Sequence, residues 1–319
     1  MNKLITYGAL CMLVLGTASH ASERYDALKL STVLSSGKKG LSSASLQSML
    51  SIWTEQGVPK ILTCVTLDKV AVACDGNTFR RWGAVDAKYK TNDVSRLLWS
   101  DICSLDMGKF SRAPIENYRV HTLESVFLAM AGRPERCIYL SSPVISVESV
   151  AEANARAQVA SQIYYEAGRY ETLKKWKKVS KTGKGVLYCN FFPPRNLESE
   201  AAKNIEYRFM KLFKASENDG HRATDVFKMN MTVDKVDGVI KTFPRMENLK
   251  EIIASCHAKN VKILVYIWRA DDFYSAYKML WDLGIDCFDC ENPAKINELS
   301  EFFRTGRKPV KASVKGKSK

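Results

Sequence analysis

The stretch KILVYIWRADDFYSAYKMLWDLGIDCFDC, residues 262–290, contains the pattern that decides the fold. Residues 262–268 form a short apolar run rich in β-branched and aromatic side chains, which predicts a buried strand. The apolar residues that follow recur at the spacing of one helix face, and they are Phe273, Tyr277, Leu280 and Trp281. Gly284 suits the position just after a helix, and residues 286–290 predict a second strand.

The same alternation of strand and helix extends through the rest of the chain. We predict eight strands, each followed by a helix, at residues 28–35, 60–66, 136–140, 158–165, 185–191, 237–242, 262–268 and 286–290. Strands that alternate with helices form a parallel sheet, and eight such units favour a (β/α)8 TIM barrel, an α/β fold, over an open sheet. No linker divides residues 22–303, so we predict a single barrel domain there.

The start of the chain predicts export. Residues 1–21 are typical of a signal peptide: Lys3 is basic, residues 10–15 are apolar, and Ser19-His20-Ala21 predicts cleavage before Ser22. The apolar run is much shorter than the roughly 20 residues that cross a bilayer. We therefore expect a secreted or periplasmic protein with no transmembrane segment.

The charge of the chain favours anionic partners. The formal net charge is +14, and residues 304–319 hold seven basic residues and no acidic one. Because this end lacks apolar periodicity, we predict a basic disordered tail. The tail could contact an anionic envelope surface or simply aid solubility, and nothing indicates specific nucleic-acid binding.

The cysteines leave two alternatives open. Nine are present, and eight would remain after signal removal, an even number in an oxidising compartment. Cys64, Cys74 and several others lie in apolar runs, where cysteine also serves as a small core residue. The Cys287-x-x-Cys290 motif lacks a second pair or a nearby histidine, so it is weak evidence for zinc or redox chemistry.

Two parts of the sequence carry a family resemblance. The first comprises residues 75–81 (DGNTFRR) and residues 121–124 (HTLE), which open a predicted helix. The second comprises residues 254–262 (ASCHAKNVK), residues 283–286 (LGID) and Pro293. In this order they resemble glycerophosphodiester phosphodiesterases, a family within the superfamily of the phosphatidylinositol-specific phospholipases C. The resemblance covers roughly half the chain beyond the signal and implies a barrel with its site at the carboxyl ends of the strands.

The resemblance also implies a chemistry whose groups are replaced here. The family uses two histidines as general acid and base, and its catalytic positions fall on Ser35 and Ser36, before Gly37, and on Cys74 and Asp75. Serine is not a base near neutral pH without a partner, so these residues cannot run the family mechanism.

The metal positions are replaced as well. The family holds Ca²⁺ or Mg²⁺ through carboxylates, and its metal positions fall on Leu62, Cys64 and Tyr139. Cysteine is a soft ligand that suits neither cation. We therefore expect no cofactor, or Ca²⁺ or Mg²⁺ if the family activity is retained.

Three functional hypotheses follow. The first is a non-catalytic pseudoenzyme that binds a phosphodiester, another phosphate-bearing ligand or a polyol, with Asp75, Trp268 and Glu291 in the pocket. Its candidate anion contacts are Arg80, Arg81 and Lys241. The second is a divergent phosphoric diester hydrolase in lipid or glycerol metabolism, whose candidate carboxylates near strand ends are Asp75, Glu166, Asp271 and Glu291. The third is an unrelated exported binding protein.

Overall fold

The computed structural model describes residues 33–34, 45–54, 57–74, 93–106, 119–141, 145–192, 195–236, 238–290 and 293–308. The helices of this part of the chain are α1 (Leu46–Thr54), α2 (Trp99–Ile102), α3 (Leu123–Leu128), α4 (Val147–Asn154), α5 (Tyr170–Val179), α6 (Glu200–Glu217), α7 (Met246–His257), α8 (Phe273–Leu283) and α9 (Pro293–Thr305). The strands are β1 (Val33–Leu34), β2 (Val58–Ile61), β3 (Cys64–Val65), β4 (Ala71–Val72), β5 (Ile138–Leu140), β6 (Ile163–Ala167), β7 (Lys184–Cys189), β8 (Val226–Val236), β9 (Val239–Phe243), β10 (Lys262–Ala270) and β11 (Cys287–Cys290).

The sheet is built from parallel strands whose pairings follow one another in a ring. The parallel order is β1, β2, β5, β6, β7, β8, β10 and β11, and β11 pairs again with β1. A helix lies between each parallel strand and the next in the chain. The predicted α/β fold with a curved parallel sheet is confirmed.

The predicted sixth strand is wrong. Residues 239–243 form β9, which returns antiparallel against the distal half of β8. The parallel strand is β8 itself, at Val226–Val236. Its sequence alternates apolar and polar residues, whereas buried parallel strands usually read as continuous apolar runs. Because of this alternation, the sequence did not predict a buried parallel strand at Val226–Val236.

The predicted second strand divides into two elements. β2 ends at Ile61, and residues 64–65 form β3, which pairs antiparallel with β4 across a turn centred on Leu67 and Asp68. Lys69 adopts a left-handed backbone conformation there, with φ of 68°. The hairpin therefore leaves the sheet immediately after β2.

The two faces of the sheet form two separate cores. The outer core lies between the sheet and its helices and includes Phe127, Trp176, Phe213 and Phe288. An inner cluster takes one buried residue from each of six parallel strands: Val58, Tyr139, Val186, Val226, Leu264 and Cys287. Because side chains alternate between faces along a strand, the residues two positions further along each strand stand next to this cluster.

The ends of the described chain bear on the predictions for its termini. Residues 1–21, the predicted signal peptide, lie outside the described residues. Helix α9 continues through Thr305, past the predicted start of the tail at residue 304. Lys308 pairs with Asp272, the residue that caps α8. Among the described residues, no helix is long and apolar enough to span a bilayer.

Candidate functional site

A buried ionic cluster occupies the inner face of the sheet, next to the inner apolar cluster and two residues further along the strands. Lys228 on β8 is 1% exposed and Glu166 on β6 is 1% exposed. The Lys228 Nζ atom lies 3.0 Å from Glu166 Oε2 and 3.0 Å from Asp289 Oδ2 on β11. Lys60 on β2 donates to the same Asp289 oxygen at 2.7 Å. Two ammonium groups thus balance two carboxylates inside the sheet.

Two tyrosines surround this cluster. The Tyr139 hydroxyl donates to Glu166 Oε2 at 2.6 Å, and Ser141 Oγ lies 3.4 Å from the other oxygen of that carboxylate. The Lys228 ammonium stands 5.0 Å from the Tyr139 ring centroid and 4.4 Å from that of Tyr188. Both rings present their faces to the cation, which is a favourable arrangement where water is excluded.

Opposite charges keep the cluster ionised despite burial. Burial disfavours the Lys228 ammonium, but Asp289 and Glu166 outweigh it and raise the Lys228 pKa. Burial also opposes ionisation of Asp289, yet Lys228 and Lys60 hold its pKa below the usual range. Burial, with the charge of Glu166, raises the pKa of Tyr139 well above its ordinary value. Tyr139 is therefore a neutral hydrogen-bond donor.

Amide and hydroxyl groups stand next to the ionic cluster toward the carboxyl ends of the strands. The Tyr188 hydroxyl donates to Asn190 Oδ1 at 3.0 Å and to Asn230 Oδ1 at 3.1 Å. Asn230 is 1% exposed, whereas Asn190 is exposed to solvent. These neutral polar groups could bond the hydroxyl or phosphate oxygens of a small ligand.

An exposed aromatic pair lies at the carboxyl end of β10. Trp268 is 51% exposed and Phe192 is 45% exposed, and their rings meet edge to face at 4.8 Å. Trp268 is therefore not a residue of the buried core. Its exposed ring can serve as the wall of a pocket, as the sequence suggested, although nothing tests that role.

The residues at the family's metal positions do not meet around one point. Leu62 is 40% exposed and follows the end of β2. Cys64 points into a separate small core below the hairpin, where it meets Cys74. Tyr139 alone joins the ionic cluster. The other predicted site residues, Ser35, Ser36, Gly37, Asp75 and Glu291, lie outside the described residues, as do Arg80 and Arg81.

The described residues do not fit a Ca²⁺ or Mg²⁺ site. Both cations need several oxygen ligands. Here the Lys228 ammonium stands between Glu166 and Asp289, and Lys60 covers a further side of Asp289. No group of three or more histidine, cysteine, aspartate or glutamate side chains is placed to hold a metal within the described part of the chain. Within this cluster, the Lys228 ammonium occupies the position between the two carboxylates.

The described histidines lie away from the ionic cluster. His221 is buried between Ser216 and Ser255, to which its ring nitrogens hydrogen-bond, and burial lowers its pKa. His257 ends α7 and meets Asp286 at 3.0 Å. His121 precedes Thr122, whose side chain caps α3 by accepting from the Ser125 backbone.

Of the remaining residues that the sequence suggested for the site, most have structural roles and one belongs to the ionic cluster. Asp271 accepts from the backbone of Lys235, and Lys241 pairs with Glu198, so neither faces the ionic cluster. Cys287 belongs to the inner cluster and Cys290 to the outer core, on opposite faces of β11. The Cys-x-x-Cys motif therefore cannot close as a redox pair. Of the two candidate carboxylates among the described residues, Glu166 belongs to the ionic cluster and Asp271 does not.

Sequence analysis missed Lys60, Lys228 and Asp289. Lys60 and Asp289 lie inside strands rather than at their ends, where site residues were expected, and Lys228 lies on β8, the strand that was not predicted. A signal was present in the sequence: a charged residue within an otherwise apolar strand is rarely buried without a partner. Opposite charges in three such strands could have indicated an internal ionic cluster.

Comparison with known proteins supports the fold. No protein-family model matches the sequence, and no curated protein matches it. A protein assigned as a glycerophosphoryl diester phosphodiesterase from Silicibacter pomeroyi superposes with a TM-score of 0.59 at 13% identity, over 90% of this chain and 99% of that one. A glycerophosphoryl diester phosphodiesterase from Parabacteroides distasonis gives a TM-score of 0.56 at 14% identity, over 92% and 94%. One from Agrobacterium tumefaciens gives 0.52 at 12% identity, over 78% and 91%.

These likenesses concern the fold. At such low identity they show that the chain has the fold of glycerophosphodiester phosphodiesterases, and the resemblance seen in the sequence is confirmed at that level. Fold alone does not establish activity, because function depends on the site.

Proposed function

We propose that this protein is a glycerophosphodiester phosphodiesterase-like (β/α)8 barrel that binds a small ligand without hydrolysing it. The ligand carries a phosphate or several hydroxyl groups. One observation supports the proposal: the Lys228 ammonium lies 3.0 Å from both Glu166 and Asp289, so a lysine and not a divalent cation neutralises these two buried carboxylates. The ring of parallel pairings supports the barrel.

The ligand site in this proposal is the carboxyl end of the sheet around Trp268. The exposed Trp268 and Phe192 rings supply an apolar wall, and Asn190 and Tyr188 supply neutral polar groups. Pockets that combine an aromatic wall with a few polar groups are typical of small-ligand sites. Asp75 and Glu291, from the sequence hypothesis, complete the proposed contacts.

The location of the protein remains part of the proposal. A signal peptide at residues 1–21 would deliver the chain to the periplasm or the exterior, and its basic end would meet anionic envelope surfaces. Phosphate diesters and their products are available in such compartments when membranes turn over.

Hydrolysis and binding can be tested with the same preparation. Glycerophosphocholine is incubated with the protein and either Ca²⁺ or Mg²⁺, and choline release is measured; we expect none above the protein-free rate. Metal-dependent release that disappears in Asp75→Ala would overturn the proposal in favour of a diester hydrolase.

Binding is measured by calorimetry with glycerol 3-phosphate and with glycerol. We expect saturable binding of at least one of them that weakens roughly 5- to 10-fold in Trp268→Ala, given the about 1 kcal/mol that an aromatic contact contributes. Phe273→Ala is the matched control, because Phe273 is a similarly exposed aromatic residue at 42%. Absence of binding by both ligands would contradict the proposed ligand class.

A further inference from the structure

Two cysteines meet inside the small core below the hairpin. Cys64 is 4% exposed and Cys74 is 0% exposed, and their Sγ atoms lie 3.4 Å apart. To reach a disulfide bond length of about 2.0 Å, the sulfur atoms must approach by about 1.4 Å. Rotation about the side-chain torsions of two neighbouring residues can supply a movement of this size.

The hairpin itself brings the two cysteines together. Cys64 pairs with Val72 across β3 and β4, and Cys74 follows Val72 by two positions. Cys74 lies two residues past the end of β4, and its side chain enters the same small core as that of Cys64. The turn holds this register, because Thr66 Oγ1 accepts from the Val70 backbone at 2.9 Å.

The core around these cysteines is small and separate from the main one. It consists of Cys64, Val72, Cys74, Val94, Leu97, Ile102 and Val120. A core of this size contributes little stability alone, and small units in oxidising compartments are commonly cross-linked by disulfides. The two cysteines therefore lie close together in a core that a cross-link would stabilise.

We propose that Cys64 and Cys74 form a disulfide when the chain folds in the presence of a disulfide-bearing oxidant. The thiolate of one cysteine attacks the oxidant, forms a mixed disulfide and releases one thiol. The thiolate of the second cysteine then displaces the other half of the oxidant as a second thiol. The protein loses two electrons and two protons, and the oxidant gains them.

Burial sets the timing of this reaction. Both sulfur atoms are shielded in the folded hairpin, so an external oxidant reaches them while the hairpin is still open. Once folded, the same burial protects the bond from reduction. The inference is independent of the proposed ligand, because it concerns the hairpin core rather than the carboxyl end of the sheet.

Peptide mapping tests the proposal directly. The full chain is unfolded, reduced and refolded with oxidised and reduced glutathione, alkylated, and digested with trypsin without reduction. Cleavage after Lys69 separates residues 61–69 (ILTCVTLDK) from residues 70–80 (VAVACDGNTFR). We expect these two peptides to be joined, with a mass two hydrogen atoms below their sum, and to separate on reduction.

Two variants control the mapping experiment. Cys64→Ser should release residues 70–80 with an alkylated Cys74, and Cys103→Ser should leave the joined pair unchanged, because Cys103 lies outside the hairpin core. Recovery of both wild-type peptides with alkylated cysteines overturns the proposal, and so does a bond from Cys64 or Cys74 to any other cysteine.

Discussion

At the scale of single residues, Lys228 is the central group of the buried ionic cluster. Its ammonium bonds two buried carboxylates and faces two tyrosine rings. Two buried carboxylates without a counter-ion would repel each other and would each lose hydration. Lys228 therefore stabilises the interior of the sheet and at the same time occupies the space between Glu166 and Asp289.

We predict that Lys228→Met destabilises the protein strongly. Methionine has a similar length but no charge, so Glu166 would lose its partner cation while buried. Removing one partner of a buried ion pair typically costs about 3–5 kcal/mol, which urea unfolding would measure. Lys174→Met is the control, because the Lys174–Glu171 pair is exposed and should contribute little. Equal stability of Lys228→Met and wild type would contradict this role.

The same cluster predicts how stability depends on pH. The folded pKa of Asp289 is depressed, so its contribution is present above its unfolded pKa of about 3.9 and is lost as the pH falls through the folded value. The folded pKa of Lys228 is raised, so its contribution is present below about pH 10.4 and is lost as the pH rises through the folded value.

Unfolding midpoints measured across the pH range check this prediction. We expect the contribution of the cluster to stay constant between about pH 5 and pH 9. Asp289→Asn should show a smaller loss of stability below pH 4 than the wild type. An acid profile of the same steepness in both proteins would argue against an ionised Asp289 in the folded state.

At the scale of elements, strand β8 shows why the sequence did not predict every strand of the sheet. Its outward residues Phe227, Met229 and Met231 join the core beneath the helices. Its inward residues Lys228 and Asn230 are polar because they meet partners from distant strands. Lys228 and its partner Glu166, for example, are 62 residues apart in the chain. Strand periodicity does not reveal which strands will face each other.

Elements with a self-contained signal were predicted well. Helix α8 ends at Gly284, which has φ of 111°, a backbone conformation that favours glycine. Helix α4 begins after Ser146, whose side chain accepts from the Ser149 backbone, a cap that the local sequence encodes. In contrast, the boundary between β2 and the hairpin depends on pairing with β5, a contact that local sequence does not encode.

Gly185 on β7 is a position where packing requires glycine. A Cβ atom there would lie 2.1 Å from the carbonyl oxygen of Ala223, which belongs to the backbone and cannot rotate away. We predict that Gly185→Ala lowers the free energy of unfolding by roughly 1–3 kcal/mol, measured in urea. Gly168→Ala is the control, because its nearest atom would be 3.8 Å away. A neutral Gly185→Ala would show that the strand can shift there.

At the scale of the whole molecule, the alternation of strands and helices predicted the fold, while the chemistry of the interior was not predictable in the same way. The resemblance assigned Leu62, Cys64 and Tyr139 to the family's metal positions, and that assignment stays a prediction. The ionic cluster that fills the centre instead draws on four strands: β2, β6, β8 and β11. Its assembly depends on the order of strands around the ring.

The predicted export concerns the whole chain, and it can be measured. When the full sequence is expressed with its own N-terminus in a bacterial host, we expect the protein outside the cytoplasm with Ser22 as its first residue. Intact mass determination gives that N-terminus. A product that keeps residues 1–21 in the cytoplasm would be incompatible with the predicted signal peptide.

A calcium titration of the full chain tests the central claim most directly, namely that the ionic cluster around Lys228 holds no divalent cation. In isothermal titration calorimetry at neutral pH, we predict that millimolar Ca²⁺ gives only the heat of dilution, and that Mg²⁺ behaves in the same way. Saturable one-to-one binding of either cation, lost in Asp289→Asn, would contradict the claim.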